Sequence, residues 1–197
     1  MPEIAIADSR VRHVRPLRPF GSGRGAPDID ALAWSPDGHR LAFSVHNDSG
    51  KRHKPVGGRA VYVVNVNGSG LRRVTPWKLE AGGLGELDWS PDGSHLLFRS
   101  ITFASDDPGP SSGDIYTFQP DGTGLRRLTN LAAGTGIQLG SYSPDGSHIV
   151  FATNDGGTHS PGSDWPDVFV MHADGTHITP VTRTKNWEGT PQWGAAG

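Results

Sequence analysis

The chain has 197 residues, and its 18 lysines and arginines against 20 aspartates and glutamates leave a formal net charge of -2. This balance offers no cationic excess for nucleic acid or for an anionic membrane surface, so we expect neither as a partner. The chain contains no cysteine and no apolar stretch of membrane-spanning length, which excludes a disulfide framework and predicts a soluble protein without membrane insertion.

The first 25 residues are predicted to hold two short strands and a linker. Residues 3–8 and 14–17 resemble a degraded copy of the last two strands of that repeat, with Asp8-Ser9 where an Asp-Gly pair belongs. The glycine-rich segment 20–25 is typical of a flexible connection. We therefore assign 1–25 to an incomplete copy of the repeat described next, followed by a linker.

An aromatic residue followed by Ser-Pro-Asp-Gly occurs three times, at Trp34, Trp89 and Tyr142, which lie 55 and 53 residues apart. The motif is typical of a tight turn, because proline presets φ, aspartate accepts backbone N–H groups and glycine takes positive φ. A short apolar run with phenylalanine in third place follows each copy. We expect the three aromatic residues to be buried between neighbouring units. The remaining motif residues are Pro36, Asp37, Gly38, Pro91, Asp92, Gly93, Pro144, Asp145 and Gly146.

Each copy continues with a second apolar run, an Asn-Gly or Asp-Gly pair and a last run ending in threonine. Such pairs are a strong local signal of a β-hairpin. Four short strands, A to D, recurring without helical periodicity predict an all-β protein, a β-propeller of four-stranded antiparallel blades. We assign three full blades and a partial blade split between the two termini, within one domain of 1–197. The blades span 26–79, 80–132 and 133–185, and a closing strand spans 186–197.

Closure of the ring is left open by the sequence. The last strand either joins the N-terminal strands in a small ring of four blades, or the chain forms an open arc. An open arc is completed by a second copy, as a homodimer, or by the remainder of a larger propeller protein.

The repeated motif, the phenylalanine-containing run, the Asp-Gly turn and the Arg-Arg-Leu-Thr ending together resemble the WD40-like repeat of TolB-type propellers over residues 30–194. The resemblance implies a bacterial origin and a protein-binding propeller, since TolB propellers bind an outer-membrane lipoprotein. Oligogalacturonate lyases and prolyl-oligopeptidase-like peptidases contain the same repeat. Typical members have six or seven blades and TolB-like relatives are often periplasmic. The present residues hold three full blades and no signal-peptide pattern, so the localisation stays unassigned.

Candidate binding residues lie in the loops between strands B and C and between strand D and the next strand A. These loops share one end of the blades, called here the long-loop face, because successive turns of an up-and-down sheet alternate between its ends. Exposed tryptophan is a frequent anchor in protein interfaces. The alternative is that the tryptophans pack over the blade ends as local cores. The candidates are Trp77, Trp165, Trp187, Lys78, Glu188, His53 and His159.

We predict a non-catalytic interaction module that binds a protein or peptide through this face. No nucleophile elbow, phosphate-binding loop or closely spaced histidine pair occurs, so we expect no catalytic residue, cofactor or metal site. One alternative is a carbohydrate-binding or lyase-like propeller that uses the same aromatic residues with His53, His159 and Arg99. Another is a fragment of a larger protein, such as a peptidase accessory domain.

Overall fold

The computed structural model describes residues 4–8, 10, 12–20, 28–46, 59–76, 83–102, 112–132, 135–154 and 165–194. The regular structure in these ranges is β-strand alone, arranged in three four-stranded antiparallel sheets and one two-stranded sheet. Across the same ranges no helix has the length and apolar character needed to cross a bilayer. The predicted all-β fold with three full four-stranded blades is confirmed.

The strands follow the chain order of the repeats. The two-stranded sheet consists of β1 (Ile4–Ile6) and β2 (Arg15–Leu17). Blade 1 consists of β3 (Asp28–Trp34), β4 (Arg40–His46), β5 (Arg59–Asn65) and β6 (Arg72–Arg73). Blade 2 consists of β7 (Gly83–Trp89), β8 (Leu96–Thr102), β9 (Ser112–Phe118) and β10 (Arg126–Arg127). Blade 3 consists of β11 (Ile137–Tyr142), β12 (His148–Thr153), β13 (Asp167–His172) and β14 (Thr179–Pro180).

Spatial order equals chain order in every blade, so the four strands of each blade occupy positions A to D. The A strand of blade 2 contacts the A strands of blades 1 and 3. These strands therefore form the inner side of the arc, and the two-residue D strands form its outer edge.

The Ser-Pro-Asp-Gly motifs form the predicted A–B turns. In blade 2 the Gly93 amide donates to Ser90 O at 2.8 Å, and Ser90 Oγ donates to Asp92 Oδ1 at 2.6 Å. The Ser94 amide donates to the same carboxylate oxygen at 2.9 Å. The Ser90 hydroxyl and the groups of Ser94 lower the pKa of Asp92 to about 2, because these hydrogen bonds favour the charged carboxylate.

The C–D turn of each blade lies against strand D of the blade before it. An added Cβ at Gly122, in the turn of blade 2, would lie 2.7 Å from Val74 O, just after strand D of blade 1. An added Cβ at Gly68, in the turn of blade 1, would lie 3.4 Å from Leu17 Cδ1 of β2. Because Leu17 takes the place that Val74 takes one blade later, β1 and β2 occupy positions C and D of an incomplete blade before blade 1.

The hydrophobic core is divided into layers between consecutive blades. One cluster joins blades 1 and 2, a second joins blades 2 and 3, and a third joins β1 and β2 to blade 1. The phenylalanine after each Ser-Pro-Asp-Gly motif is fully buried within these layers. Each phenylalanine stacks on an aromatic ring of strand C at centroid distances of 5.4 to 5.9 Å.

The aromatic residue of the motif is buried in blades 2 and 3 but not in blade 1. Trp89 and Tyr142 are 4% and 8% exposed, as predicted, and Trp89 Nε1 donates to Ala33 O of blade 1 at 3.2 Å. The prediction that Trp34 is buried is wrong, because its side chain is 50% exposed. Trp89 and Tyr142 each pack on the complete blade that precedes them, whereas the described residues supply only positions C and D before Trp34.

Side chains of one A strand bind backbone amides of the next. The Leu139 amide of β11 donates to Glu86 Oε2 of β7 at 2.7 Å. The Tyr142 amide donates to Asp88 Oδ2 at 2.8 Å. These two hydrogen bonds fix the position of blade 3 on blade 2.

The segment 187–194 continues this pattern beyond blade 3. The Thr190 amide donates to Gln138 Oε1 at 2.9 Å, and the Trp193 amide donates to Ser141 Oγ at 3.0 Å. The segment therefore lies along β11 where strand A of a further blade belongs. It carries no assigned strand, and β1 pairs with β2 alone among the described strands. The described residues thus contain no sheet that joins the two ends of the chain.

Candidate functional site

The predicted binding residues divide into two groups. Three of them, Trp165, Trp187 and Glu188, lie together at the long-loop end of blade 3. The remaining predicted residues lie outside the described residues: Trp77, Lys78, His53 and His159.

Two segments that are separate in the sequence meet at this end of blade 3. Trp165 immediately precedes Pro166 and strand C, whereas Trp187 follows strand D. The Glu188 amide donates to Pro166 O at 3.1 Å, which holds the two segments together. The side chains of Trp165 and Trp187 are 55% and 53% exposed. Both therefore present more than half of their surface to solvent.

Both tryptophans line a cavity of about 310 Å³ at the long-loop ends of blades 2 and 3. Residues at the start of strand A contribute to its wall, which places the cavity toward the inner side of the arc. Its volume is at the lower end of the range for ligand pockets, so it fits an amino-acid side chain better than a large cofactor. The other lining residues are Arg99, Gly113, Gly136, Ile137, Gln138, Ala152, Asn154 and Pro166.

Arg99 supplies a positive charge to the cavity wall. Its Nη1 donates to Ile137 O at 2.5 Å, and its Nε lies 3.2 Å from Glu86 Oε2. Burial lowers the pKa of Arg99 and the carboxylate of Glu86 opposes that shift. The guanidinium stays charged near neutral pH, because its ordinary pKa is far higher. Since Arg99 connects strands of blades 2 and 3, it positions the wall of the cavity.

Two carboxylates lie next in the chain to the cavity-lining Pro166 and Trp187. The Thr184 amide donates to Asp167 Oδ1 at 2.9 Å, and Thr184 Oγ1 donates to Glu188 Oε1 at 2.9 Å. Asp167 is 1% exposed. Asp167 Oδ2 and Glu188 Oε2 are buried and have no hydrogen-bond partner among the described residues. Within this part of the chain the site thus contains two unused acceptors.

Glu86, Gln138 and Asp167 also belong to this site and were not predicted from the sequence. The first two lie in strand A, where no local pattern distinguishes a side chain that reaches the next blade from one that faces solvent. A signal existed for Asp167, because it lies two residues before the aromatic residue of strand C, as Asp114 does in blade 2. The arginine that partners Asp114 is not repeated.

Three imidazoles cluster at the opposite end of blade 3. The ring of His172 lies 5.1 Å from the ring of His148 and 4.4 Å from the ring of His177. The Nδ1 atoms of His148 and His177 are hydrogen-bonded to adjacent serine and threonine hydroxyls. Throughout the described ranges, no group of three or more His, Asp or Glu side chains is placed to hold a metal ion.

No family model matches the chain. Among solved structures, TolB from Acinetobacter baumannii is similar with a TM-score of 0.66 and 19% identity, over 96% of this chain and 40% of the TolB chain. The fold is that of a TolB-like β-propeller. The TolB-like propeller described here therefore spans well under two thirds of the length of that relative.

Two further structures show how widely this fold is used. An oligogalacturonate lyase in complex with manganese is similar with a TM-score of 0.59 and 16% identity, over 85% of this chain and 45% of the lyase. A chain of a nidogen/laminin complex is similar with a TM-score of 0.52 and 16% identity, over 90% of this chain and 54% of its own. At these identities the similarity concerns the fold alone.

Proposed function

We propose that this TolB-like propeller binds a protein or peptide through the long-loop face of blade 3, with Trp165 and Trp187 as anchors. The observation that carries the proposal is that two tryptophans from separate segments, each more than half exposed, line one cavity. Large rigid aromatic side chains contribute much of the energy of protein interfaces. A folded module that leaves two of them exposed at one place has a surface suited to a partner.

The chemistry of the cavity favours an amphipathic occupant. Trp165 and Trp187 offer apolar surface, while Gln138 and Asn154 bring polar amides to the same wall. The Glu188 amide bond to Pro166 O holds together the two segments that carry the indole rings. An apolar side chain entering between them would lose water-exposed surface on both sides. The nidogen/laminin structure, a protein–protein complex, supports a binding role at the level of the fold.

The experiment begins with selection of peptides from a displayed library on the purified chain, followed by calorimetric titration of the best binder. We expect Trp165→Ala and Trp187→Ala each to weaken binding at least tenfold, which corresponds to about 1.4 kcal/mol. Trp34→Ala is the matched control, because Trp34 is 50% exposed but lies on blade 1 outside the cavity. It should leave the affinity within twofold.

Two results contradict the proposal. One is a selection in which no peptide is enriched over a library panned on the Trp165→Ala, Trp187→Ala double variant. The other is a selected peptide whose affinity falls as much with Trp34→Ala as with Trp165→Ala. Circular dichroism of each variant confirms that the fold is retained.

Binding of an acidic carbohydrate is the second candidate. Two exposed tryptophans and Arg99 in one cavity favour it, because sugar rings stack on indoles and uronates pair with guanidinium. Against it, Arg99 already meets Glu86 and Ile137 O within the fold. Titration with oligogalacturonate, with and without manganese, distinguishes the candidates. Saturable binding or formation of an unsaturated product would favour the carbohydrate.

A homodimer that completes the propeller stays a prediction. The half-exposed Trp34 at one end of the arc and Val181, 61% exposed at the other, are consistent with further packing at both ends. Light scattering of the purified chain measures the mass directly. A monomer at concentrations of about 100 μM would contradict the homodimer.

A further inference from the structure

Blade 2 shows how the fold can pair an aspartate at the start of strand C. Asp114 Oδ1 accepts hydrogen bonds from Thr129 Oγ1 at 2.7 Å and from the Leu131 amide at 3.1 Å. Asp114 Oδ2 pairs with the guanidinium of Arg127, which also donates from Nε to Thr129 O at 2.8 Å. The carboxylate is therefore saturated, and its charge is balanced by a residue of strand D.

Blade 3 keeps the aspartate and loses the cation. Asp167 occupies the position of Asp114, because each lies two residues before the strand C aromatic that pairs with strand D. Strand D pairs that aromatic with Arg127 in blade 2 and with Pro180 in blade 3. Asp167 Oδ1 still accepts from the Thr184 amide, as Asp114 does from Leu131. Asp167 Oδ2, however, has no partner in the part of the chain that the structure describes.

A second carboxylate is added at the same place. Glu188, which has no counterpart in these hydrogen bonds of blade 2, joins Asp167 through Thr184 and leaves its own Oε2 buried without a partner. A buried carboxylate oxygen that lacks a hydrogen bond or a cation is unfavourable. Two such oxygens, on carboxylates joined through Thr184, favour a cation.

We propose that the partner bound at the tryptophan site inserts an arginine or lysine side chain against Asp167 and Glu188, in the place that Arg127 takes in blade 2. This inference rests on the proposed function, and it specifies the partner as a basic peptide segment. The guanidinium pairs with Asp167 Oδ2 and Glu188 Oε2.

Arginine fits this position better than lysine. Arg127 shows that a planar guanidinium can bind the carboxylate and a backbone carbonyl of strand D at once. The corresponding carbonyl in blade 3 belongs to Thr182. Pro180 has no charged group with which to pair Asp167 Oδ2, so blade 3 itself offers no cation at this strand D position.

The test titrates the chain with N-acetyl-arginine methylamide and, as an uncharged isostere, N-acetyl-citrulline methylamide, while amide NMR signals are followed. Two backbone amides report on the site. The Thr184 amide donates to Asp167 Oδ1, and the Glu188 amide is the backbone group of the residue that carries the second carboxylate. We expect saturable shifts of both amides with the arginine compound and at least tenfold weaker binding of the citrulline compound.

Pro180→Arg tests the assignment from within the chain. The new arginine should occupy the site as Arg127 does, abolish the shifts caused by N-acetyl-arginine methylamide and raise the melting temperature. Pro180→Gln is the control, because it restores the backbone N–H without a charge and should leave the titration unchanged.

The outcomes separate this inference from the proposed function. If selected peptides bind through Trp165 and Trp187 but arginine does not shift Thr184 or does so equally in Pro180→Arg, the cation site is wrong and the peptide site stands. If arginine binds as expected but the tryptophan variants bind every selected peptide normally, the proposed function is wrong. Equal shifts with citrulline, or saturation of the same amides by Ca²⁺ at lower concentration, would also overturn the inference.

Discussion

Substitution of Gly122 by alanine should destabilise the protein far more than the same substitution at Gly38. Both glycines have positive φ, +87° and +71°, a conformation that is unfavourable for an L-residue by about 1 to 2 kcal/mol. At Gly38 an added Cβ meets nothing within 4 Å, so this backbone term is the whole effect. Gly38→Ala is therefore expected to lower the free energy of unfolding by about 1 to 2 kcal/mol.

At Gly122 the added Cβ would lie 2.7 Å from the backbone carbonyl oxygen of Val74 and 3.3 Å from two further backbone atoms of that residue. A backbone group cannot move aside as a side-chain tip does, so the C–D turn of blade 2 must shift away from blade 1. Overpacking of this kind adds about 1 to 3 kcal/mol. The expected loss at Gly122 is thus about 2 to 5 kcal/mol.

Urea unfolding followed by circular dichroism measures both variants against the original chain, with stability taken from the midpoint at a common slope. The difference between the two variants is the quantity of interest, because it cancels the shared φ term. A difference below about 0.5 kcal/mol would refute the close packing of the C–D turn on the preceding blade. An unchanged midpoint for Gly38→Ala would refute the φ argument itself.

Three further predictions concern the inner side of the blades and the turns. Trp89→Ala should lower the free energy of unfolding by about 3 to 5 kcal/mol and Trp34→Ala by no more than about 1, because only Trp89 is buried; equal losses in urea unfolding would contradict the layered core. Glu86→Ala should lower the free energy of unfolding by about 2 to 4 kcal/mol, because it removes the acceptor of the Leu139 amide and the carboxylate that faces Arg99. Glu86→Gln should lose less, since its side-chain oxygen can still accept from that amide. Asp92 has a folded pKa of about 2, below its ordinary 3.8, so its contribution to stability is present above pH 4 and lost as the pH falls toward 2. Asp92→Asn should accordingly flatten the pH dependence of the melting temperature between pH 4 and 2, and an unchanged profile would show that this carboxylate does not contribute.

The strands and turns were predictable because their chemistry is local. Proline, aspartate and glycine in the A–B turns need only one another and the preceding serine, as the hydrogen bonds of Asp92 show. Burial of the aromatic residue was not predictable at every copy, because it depends on the neighbouring blade. Trp34 and Trp89 begin the same motif, and only Trp89 has a complete blade to pack against.

The candidate site was predictable in part. The sequence placed Trp165 and Trp187 on the long-loop face, since both lie outside the repeating strands. Their meeting at one cavity depends on the bond between the Glu188 amide and Pro166 O, which no spacing rule indicates. The unpaired oxygen of Asp167 was not predictable from its own surroundings in the sequence. Pro180 stands in strand D of blade 3 where Arg127 stands in blade 2, and this correspondence follows from the strand pairing.

The hydrogen bonds from each A strand to the segment that follows it use main-chain amides as donors. Glu86, Asp88, Gln138 and Ser141 each accept from a main-chain amide of the segment that follows. Every non-proline residue carries such an amide, so the receiving strand needs no particular side chain. At these hydrogen bonds a blade therefore accepts any following segment with a free main-chain amide, and the choice of neighbour is left to the buried apolar layers between the blades.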